Sequence, residues 1–531
     1  MATSRQLREQ IAAGRWDAAL AALYGGSEEV LSRQRSRYGA ALEQFELYYG
    51  PGRQVQVYSA PGRTELGGNH TDHQHGYGLA GAVTLDLVAV ASRNEDGFIR
   101  VKSRGFNKLD VIDLTEEEPQ QGESTHSASL IRGIAEGFRA KGCDVGGFDA
   151  YTASDVLRGS GLSSSAAFEM GVAMILNTEY GCGLDAPALA RICQFAENTY
   201  FGKPSGLLDQ LTSAVGGVLF ADFADPTAPK IEKIHADGVL PEGMTLCVTD
   251  TRASHSELTG EFAAIRNEME AVAACLGGKV LGEVDEKRFW QELPRLREQC
   301  GDRAVLRAIH YFEENARTLA QRAALAAGDF AAFARLVEKS GHSSFECCQN
   351  VYCASSPKHQ GLSAALAISQ SILAGTGGAW RMQGGGFAGT IQAFVPDALV
   401  KRYCAAMEAL FGPGCCYLLS LREQELCGSC KHKRMPCGMV KVHRRRAFFC
   451  FLERSAALRL CVCTQSAHIV LVGLKVFCSL ARSAEEEGVD AFHGIEAGLD
   501  HIEQQLRNER DGEREQSTSK EEISETEMVR K

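Results

Sequence analysis

The chain has 531 residues, enough for two or three domains, and its 44% hydrophobic and 23% charged content is that of a soluble globular protein. A net charge of −11 argues against bulk nucleic-acid binding, which leaves a basic footprint. The polar start (MATSRQLREQIAAGRW), and a late apolar stretch over 467–480 that Lys475 interrupts, read against a signal peptide and a membrane span, so the 19 cysteines are expected as reduced thiols in the cytoplasm.

Residues 3–48 read as helical, because Leu7, Ile11, Trp16, Leu20 and Leu23 recur at near-helical spacing. Val55 and Val57 alternate with polar neighbours and predict a strand over 54–59. The Gly- and His-rich stretch 61–78 fits neither a helix nor a strand throughout. A continuous apolar run, VTLDLVAVA, marks a strand over 82–92, and 101–114 reads as another strand region. Helices are expected over 127–141, 165–179 and 185–201, with a strand over 147–153 between the first two. Strands follow at 218–222 and 246–250. From 260 to 339 the chain is rich in Ala, Glu, Arg and Leu and lacks strand punctuation, which predicts several helices. Strands at 379–383 and 390–394 bracket GGGFAG, and a helix over 397–410 and a short strand over 415–421 close the regular part. Composition changes beyond Glu423: 427–478 holds seven cysteines and the basic runs KHKR and HRRR. From about Ser483 the chain is acidic and polar, an end expected to be disordered or a frayed helix.

Four segments carry chemistry. The first, Gly159-Ser160-Gly161-Leu162-Ser163-Ser164-Ser165, lies between a predicted strand and a predicted helix. Its glycines allow close backbone approach, its serines add hydroxyl donors, and the helix start adds unpaired N–H groups; together these suit the phosphates of a nucleotide. The competing reading is a flexible turn with a Ser N-cap. The segment is neither a Walker A loop nor a Rossmann fingerprint. The second, 60–76, concentrates Arg63, Glu65, Asn69, His70, Asp72, His73, Gln74 and His75, a polar density suited to a polyhydroxyl ligand. A metal held by His70, Asp72, His73 and His75 is the alternative, but their spacing is not the i, i+4 pair of a zinc protease. In the third, Asp209 interrupts an apolar run and reads as a helix cap, an exposed acid or a buried base. The fourth, Gly384 to Gly389, implies tight backbone approach to a ligand or to another segment.

These segments, in this order, resemble the galactokinase branch of the GHMP kinase superfamily. The family's first motif, GR-x-N-L-I-G-E-H-T-D-Y-x-x-G, reads GRTELGGNHTDHQHG here. Its second, G-x-G-L-S-S-S-A, is matched by 159–166; its third, G-G-G-F-G-G, by 384–389 with Ala388 for one glycine; and its Asp-Gln pair by Asp209-Gln210. The resemblance spans roughly residues 20 to 422. It implies an α+β fold of two lobes, with mixed β-sheets flanked by helices and the active site between the lobes. The first lobe would cover 1–215 and the second 216–423, leaving 424–531 without a counterpart.

The resemblance also implies the reaction, ATP plus galactose giving galactose 1-phosphate and ADP, and a role for each residue. Asp209 would be the catalytic base, and Arg63 would keep it ionised and offset charge on the transferred phosphoryl group. Gly159, Ser160, Gly161, Leu162, Ser163, Ser164 and Ser165 would wrap the ATP phosphates, and Ser165 and Glu197 would hold Mg²⁺. Glu65, Asn69, His70, Thr71, Asp72 and Gly206 would line the sugar site. The expected partners are the sugar and ATP, with no nucleic acid and no membrane; the oligomeric state is not legible.

Departures fall in the sugar motif, where Glu65 replaces the family's Asn, Asn69 its Glu and His73 its Tyr. Leu157 stands where the second motif usually has an upstream Pro, and Phe262 stands where a sugar-contacting Tyr is usual. They motivate a sister 1-kinase acting on a uronic acid, arabinose or an N-acetylated sugar; a non-catalytic sugar and ATP sensor is the reading from another class. In the extension, Cys427, Cys430, His432 and Cys437 are nominal zinc ligands, and a translated frame that selection never shaped is an equal reading.

Overall fold

The helical spacing at the start of the chain resolves into α1 (Ser4–Ala12), α2 (Asp17–Tyr24) and α3 (Glu28–Tyr49), preceded by a two-residue strand, β1 (Ala2–Thr3). Thr3 and Gln6 form a reciprocal capping box on α1, and Ser27 caps α3 ahead of Glu28 and Glu29, which complement its dipole. This computed structural model describes residues 2–120, 122–156, 161–203, 205–236, 238–253, 259–425 and 427–428. The chain divides into two units, 1–434 and 435–531, and the second lies outside the described residues.

Strand β2 (Gln54–Gly67) runs well past the predicted 54–59, and β3 (Tyr77–Arg93) returns antiparallel to it. Residues 60–67 keep pairing through register shifts at Pro61/Arg63 and Glu65/Gly67, irregularities that let a strand absorb Pro and Gly. The predicted strand region 101–114 is a hairpin, β4 (Phe98–Ser103) and β5 (Asp110–Asp113). Then come α4 (Ser127–Arg139), β6 (Phe148–Ser154), α5 (Ser164–Glu179), α6 (Ala186–Phe195) with a π-turn at Ala196–Phe201, α7 (Leu208–Val215), β7 (Val218–Asp222) and β8 (Lys230–Ile234). Nothing in the sequence announced β8, whose residues, KIEKI, are almost all exposed.

The second half contains β9 (Met244–Asp250), α8 (Thr259–Cys275), α9 (Glu286–Gln291), α10 (Leu293–Cys300), α11 (Asp302–Ala326) and α12 (Phe330–Ser343). A helix not anticipated, α13 (Gly361–Leu373), precedes β10 (Ala379–Met382), β11 (Thr390–Pro396), α14 (Asp397–Phe411), β12 (Cys416–Leu419) and β13 (Cys427–Gly428).

Among the described residues the strands form two sheets. The larger has nine strands in the order β1-β2-β3-β6-β4-β5, with β13 on β2 and the pair β7 and β8 on the first half of β3. The smaller is antiparallel, β10-β11-β9-β12. Strands β7 and β8 lie beyond residue 215 yet belong to the first sheet, so the sheets divide between residues 234 and 244. The VTLDLVAVA run has a simple cause. Leu87, Ala89 and Ala91 pack with Ile131, Phe138 and Met170 of α4 and α5, while Val88 and Val90 face Leu42 and Phe45 of α3. Both faces of β3 are buried, so its period of two is hidden in a uniformly apolar run. No helix among the described residues is long and apolar enough to cross a membrane. The nominal zinc ligands Cys430, His432 and Cys437 lie outside the described residues.

Candidate functional site

Arg63 projects from β2 between the two register shifts and joins three segments. Its Nε and Nη2 each lie 2.7 Å from Asp209 Oδ1, at the second position of α7. Its Nη1 donates to the Gly161 carbonyl, and its backbone N–H donates to the Leu162 carbonyl at 3.1 Å. The other Asp209 oxygen accepts from the Ser163 hydroxyl. The N-cap reading of the serine loop therefore fails in a telling way: Ser163 precedes α5 with φ +57 and makes no cap, because its hydroxyl is turned to the acid. Ser164 and Ser165 open α5, whose first N–H groups face the loop with the partial positive charge of a helix start. Gly159 and Ser160 lie outside the described residues.

Behind this triad sits a polar layer centred on the buried Glu197. The Glu197 carboxylate, in the π-turn, accepts from Ser165 Oγ at 3.3 Å, Lys203 Nζ at 2.7 Å, Ser205 Oγ at 2.7 Å and Gln210 Nε2 at 2.9 Å. Gln210 Nε2 also donates to Glu169 at 3.1 Å, and burial and the Glu197 charge push the Glu169 carboxyl well up. Ser165 and Glu197 thus meet. A hydroxyl and a carboxylate are hard oxygen donors of the kind Mg²⁺ takes, and the Glu197 oxygen beside Ser165 already faces a cation in Lys203.

The sugar motif divides into an inward and an outward set. Asn69 is fully buried. Its amide donates to Glu65 at 3.0 Å and to the Gly384 carbonyl at 2.7 Å, and its oxygen accepts from Asn350 at 2.8 Å. Glu65 pairs with Arg381 at 2.7 Å. Thr71, also buried, donates to the carbonyls of Gly68 and Tyr77. These three side chains, expected at the ligand, are occupied inside the protein. His70 and Asp72 are only half-buried. Asp72 packs against Gly206, where a Cβ would lie 1.7 Å from its carboxylate, so only glycine fits there.

His70 and His73 form a directed chain, and among the described residues they join no group of side chains placed to hold a metal. Leu281 N–H donates to Gln74 Oε1, Gln74 Nε2 lies 3.1 Å from His73 Nδ1, His73 Nε2 lies 3.3 Å from His70 Nδ1, and His70 Nε2 lies 3.0 Å from the Gly385 carbonyl. One tautomer of each ring satisfies every link, with each Nε2–H donating. Burial lowers the pKa of both rings, that of His70 to about 4, so both are neutral.

The third glycine cluster closes over the first two motifs. A Cβ on Gly161, where φ is +69, would meet Thr390 Oγ1 at 3.0 Å and the Gln383 carbonyl at 3.7 Å. Phe262 packs edge-on against Phe387, with ring centroids 5.4 Å apart, and covers Gly385. The arrangement can orient a hydroxyl beside an ionised Asp209 and offer N–H and cationic groups to a phosphate on the α5 side.

Sequence reasoning missed the face of α11 that holds the sugar loop. Glu314 accepts the N–H groups of Gly68 and Asn69 at 3.2 and 3.4 Å, His310 Nε2 lies 2.9 Å from the Asn69 carbonyl, and Gln321 Nε2 donates to the Leu66 carbonyl at 3.2 Å. Arg307, His310, Glu314, Thr318 and Gln321 are all fully buried at helical spacing, and that polar stripe was the available signal.

The galactokinase galactose-binding signature matches residues 43–93, and the GHMP kinases N terminal domain matches residues 129–217. The galactokinase of Streptomyces coelicolor is 35% identical over 379 residues, 70% of this chain and 92% of that protein. The crystal structure of Lactococcus lactis galactokinase complexed with galactose superposes with a TM-score of 0.62 at 24% identity, covering 72% of this chain and 98% of that one. Methanococcus jannaschii mevalonate kinase gives 0.51 at 15% identity, over 70% and 99% of the two chains, so the fold is shared across that wider group.

Proposed function

The chain belongs to the galactokinase family of the GHMP kinases, and from that premise we propose that it transfers the γ-phosphoryl group of ATP to the anomeric hydroxyl of galactose, giving galactose 1-phosphate and ADP. The observation that carries the assignment of roles is the Arg63–Asp209–Ser163 constellation, which ties the sugar motif to the serine loop through one acid. Asp209 accepts the hydrogen bond of the anomeric hydroxyl and so aims its oxygen at the γ-phosphorus. Burial pushes the Asp209 carboxyl up, but Arg63, Ser163 and Lys203 more than offset this and hold it below its ordinary value. It therefore acts first as an orienting acceptor and takes the proton only as P–O bond formation makes the hydroxyl acidic. Arg63 and the N-terminus of α5 stabilise negative charge on the phosphoryl oxygens, and such electrostatic stabilisation, with positioning, supplies most of the rate acceleration in phosphoryl transfer.

Ser165 and Glu197 would hold Mg²⁺, which when bound neutralises charge on the β- and γ-phosphates. We assign the sugar hydroxyls to Asp72, and to Glu65, Asn69, Thr71 and His70, whose ring nitrogens are both engaged within the protein, the shape of the loop that presents it. The two other readings are weaker. A sister sugar would need Asn69 to meet the ligand, yet its amide hydrogens are spent on Glu65 and Gly384. A sensor would have no need of Arg63 poised on Asp209. The location we propose is the cytoplasm, where ATP and the free thiols at twelve described cysteines are both at home. The test is turnover with ATP, Mg²⁺ and a panel of sugars. Galactose 1-phosphate is the expected product; phosphorylation of another sugar with none of galactose overturns the assignment.

A further inference from the structure

A cluster of thiols sits in the second sheet, apart from every residue given a role above. Cys247 on β9 is buried, Cys404 on α14 and Cys416 on β12 are half-buried, and their sulphurs all lie within 4.8 Å of one another. The topology explains the meeting. Cys416 pairs opposite Thr249 and Leu418 opposite Cys247, so Cys247 and Cys416 are diagonal neighbours on one face of the sheet. That face also carries Ile391 and Ala393 of β11 and packs on Tyr403 and Met407 of α14, which sets Cys404 above it. Strand β12 is the edge of the sheet, and Cys404 and Cys416 are only half-buried there.

Three sulphurs from three elements are more than a small apolar filler requires. An ion bonded to thiolates at about 2.3 Å holds its sulphurs about 4 Å apart, so the observed spacing closes on a cation with less than about 1 Å of side-chain movement. A disulfide is the competing use of such thiols. For the Cys247–Cys416 pair it is disfavoured, because diagonal positions on paired strands place their Cα atoms about 7 to 8 Å apart, beyond the reach of an unstrained bond. The donor set is entirely sulphur, which selects soft ions and leaves the oxygen pair at Ser165 and Glu197 to magnesium.

We propose that Cys247, Cys404 and Cys416 form a three-sulphur site for a soft d¹⁰ cation, Zn²⁺ or Cu⁺, with the Cys415 sulphur 3.9 Å from that of Cys416 beside it. The Thr249 hydroxyl lies 3.6 Å from Cys416 Sγ and steadies that ligand by a hydrogen bond. Each thiol that becomes a ligand gives its proton to solvent, up to three per ion, so affinity rises with pH.

The test titrates the full chain with Zn²⁺ alone and with Cu⁺ alone, under anaerobic, thiol-free conditions, against Cys404→Ser and Cys416→Ser. The seven cysteines at 427–478 are present in all three proteins and cancel in the comparison. The wild type should bind one more equivalent of at least one of the two ions than either variant. That ion should also slow alkylation of Cys404 and Cys416 at least tenfold, read peptide by peptide by mass spectrometry. Both variants should keep basal sugar phosphorylation, which reports their folding. Equal stoichiometry in all three proteins, unprotected thiols in the wild type, or a disulfide joining Cys404 to either neighbour in protein handled anaerobically would overturn the site; the alkylation arm needs no variant to fold.

Discussion

Burial alone would push both acids of the site up, and they part company because of their neighbours. Asp209 has Arg63 and Ser163 and lies below its ordinary value. For Asp72 burial outweighs the His73 N–H, its own N–H and the Arg63 charge that oppose it, and the Asp209 charge adds to that burial, so it rises to about 6. A protonated Asp72 loses acceptors that the sugar hydroxyls use. Activity therefore belongs to the ionised form, present above about pH 6, and kcat/KM for galactose should fall toward tenfold per pH unit below it. His70, at about 4, and Asp209 do not titrate in that window. Asp72→Asn should remove this limb, whereas a wild-type profile flat from pH 5 to 8 would take Asp72 out of the sugar site. Asp209→Asn keeps the shape of the triad and loses the acceptor; kcat should fall by about 10²- to 10⁴-fold with galactose affinity, measured by calorimetry, changed only a few-fold. Arg63, Asp72 and Asp209 were singled out from the sequence through the resemblance, since an acid in an apolar run reads equally well as a helix cap; their meeting with Ser163 needed the fold. The inward turn of Asn69 was not legible, since its partners Asn350 and Gly384 lie about 300 residues away in sequence.

Helix α11 shows how an element without a motif can shape a site. Its buried stripe holds the loop 66–77 by backbone groups, which carry no sequence signature. Glu314 is the anchor. Burial pushes its carboxyl up, but His310, Arg317, Arg381 and Ser340 pull it down to about 2, against an ordinary value of 4.5. The folded pKa is the lower one, so this stabilisation is fully present above about pH 4.5 and is lost as pH falls toward 2. Glu314→Ala leaves two backbone N–H groups and the Ser340 hydroxyl without their acceptor and Arg317 with Glu313 alone, and should cost about 3 to 5 kcal/mol in urea unfolding at pH 7. Glu314→Gln should cost less, and its deficit should shrink between pH 5 and pH 3; a deficit independent of pH would mean that packing, not charge, does the anchoring. The long helices and buried strands were legible from periodicity and apolar runs. The exposed β8 and the register shifts of β2 were not, because pairing with β7 and β3 decides them rather than local preference.

At the scale of the whole chain, the question is where the functional unit must end. The resemblance to the family runs to about residue 422, and Arg422 is fully buried. Its guanidinium donates to Ser59 Oγ at 2.7 Å and to Asp86 at 3.3 Å, and its backbone pairs with Ala82 and Gly217 at 2.8 Å each. Asp86, also fully buried, binds Arg37 of α3 at 2.6 Å and the Tyr24 hydroxyl of α2. One carboxylate thus fastens the N-terminal helices, the central strand β3 and the end of the catalytic region, and two guanidiniums hold it ionised against its burial. A buried acid with two cationic partners that loses one is left with uncompensated charge, a change worth about 3 to 5 kcal/mol. The groups we assign to catalysis all lie before Arg422, and β13 adds only a two-residue pairing to β2. A chain ended after Gly428 should therefore keep the kcat and KM of the full chain. One ended after Leu421 should lose that stability and much of its soluble yield, and Arg422→Met in the full chain should reproduce the loss in urea unfolding. Equal stability of the two truncations would show that Arg37 alone satisfies Asp86, and that the end of the catalytic region is set by β12 rather than by this ion pair.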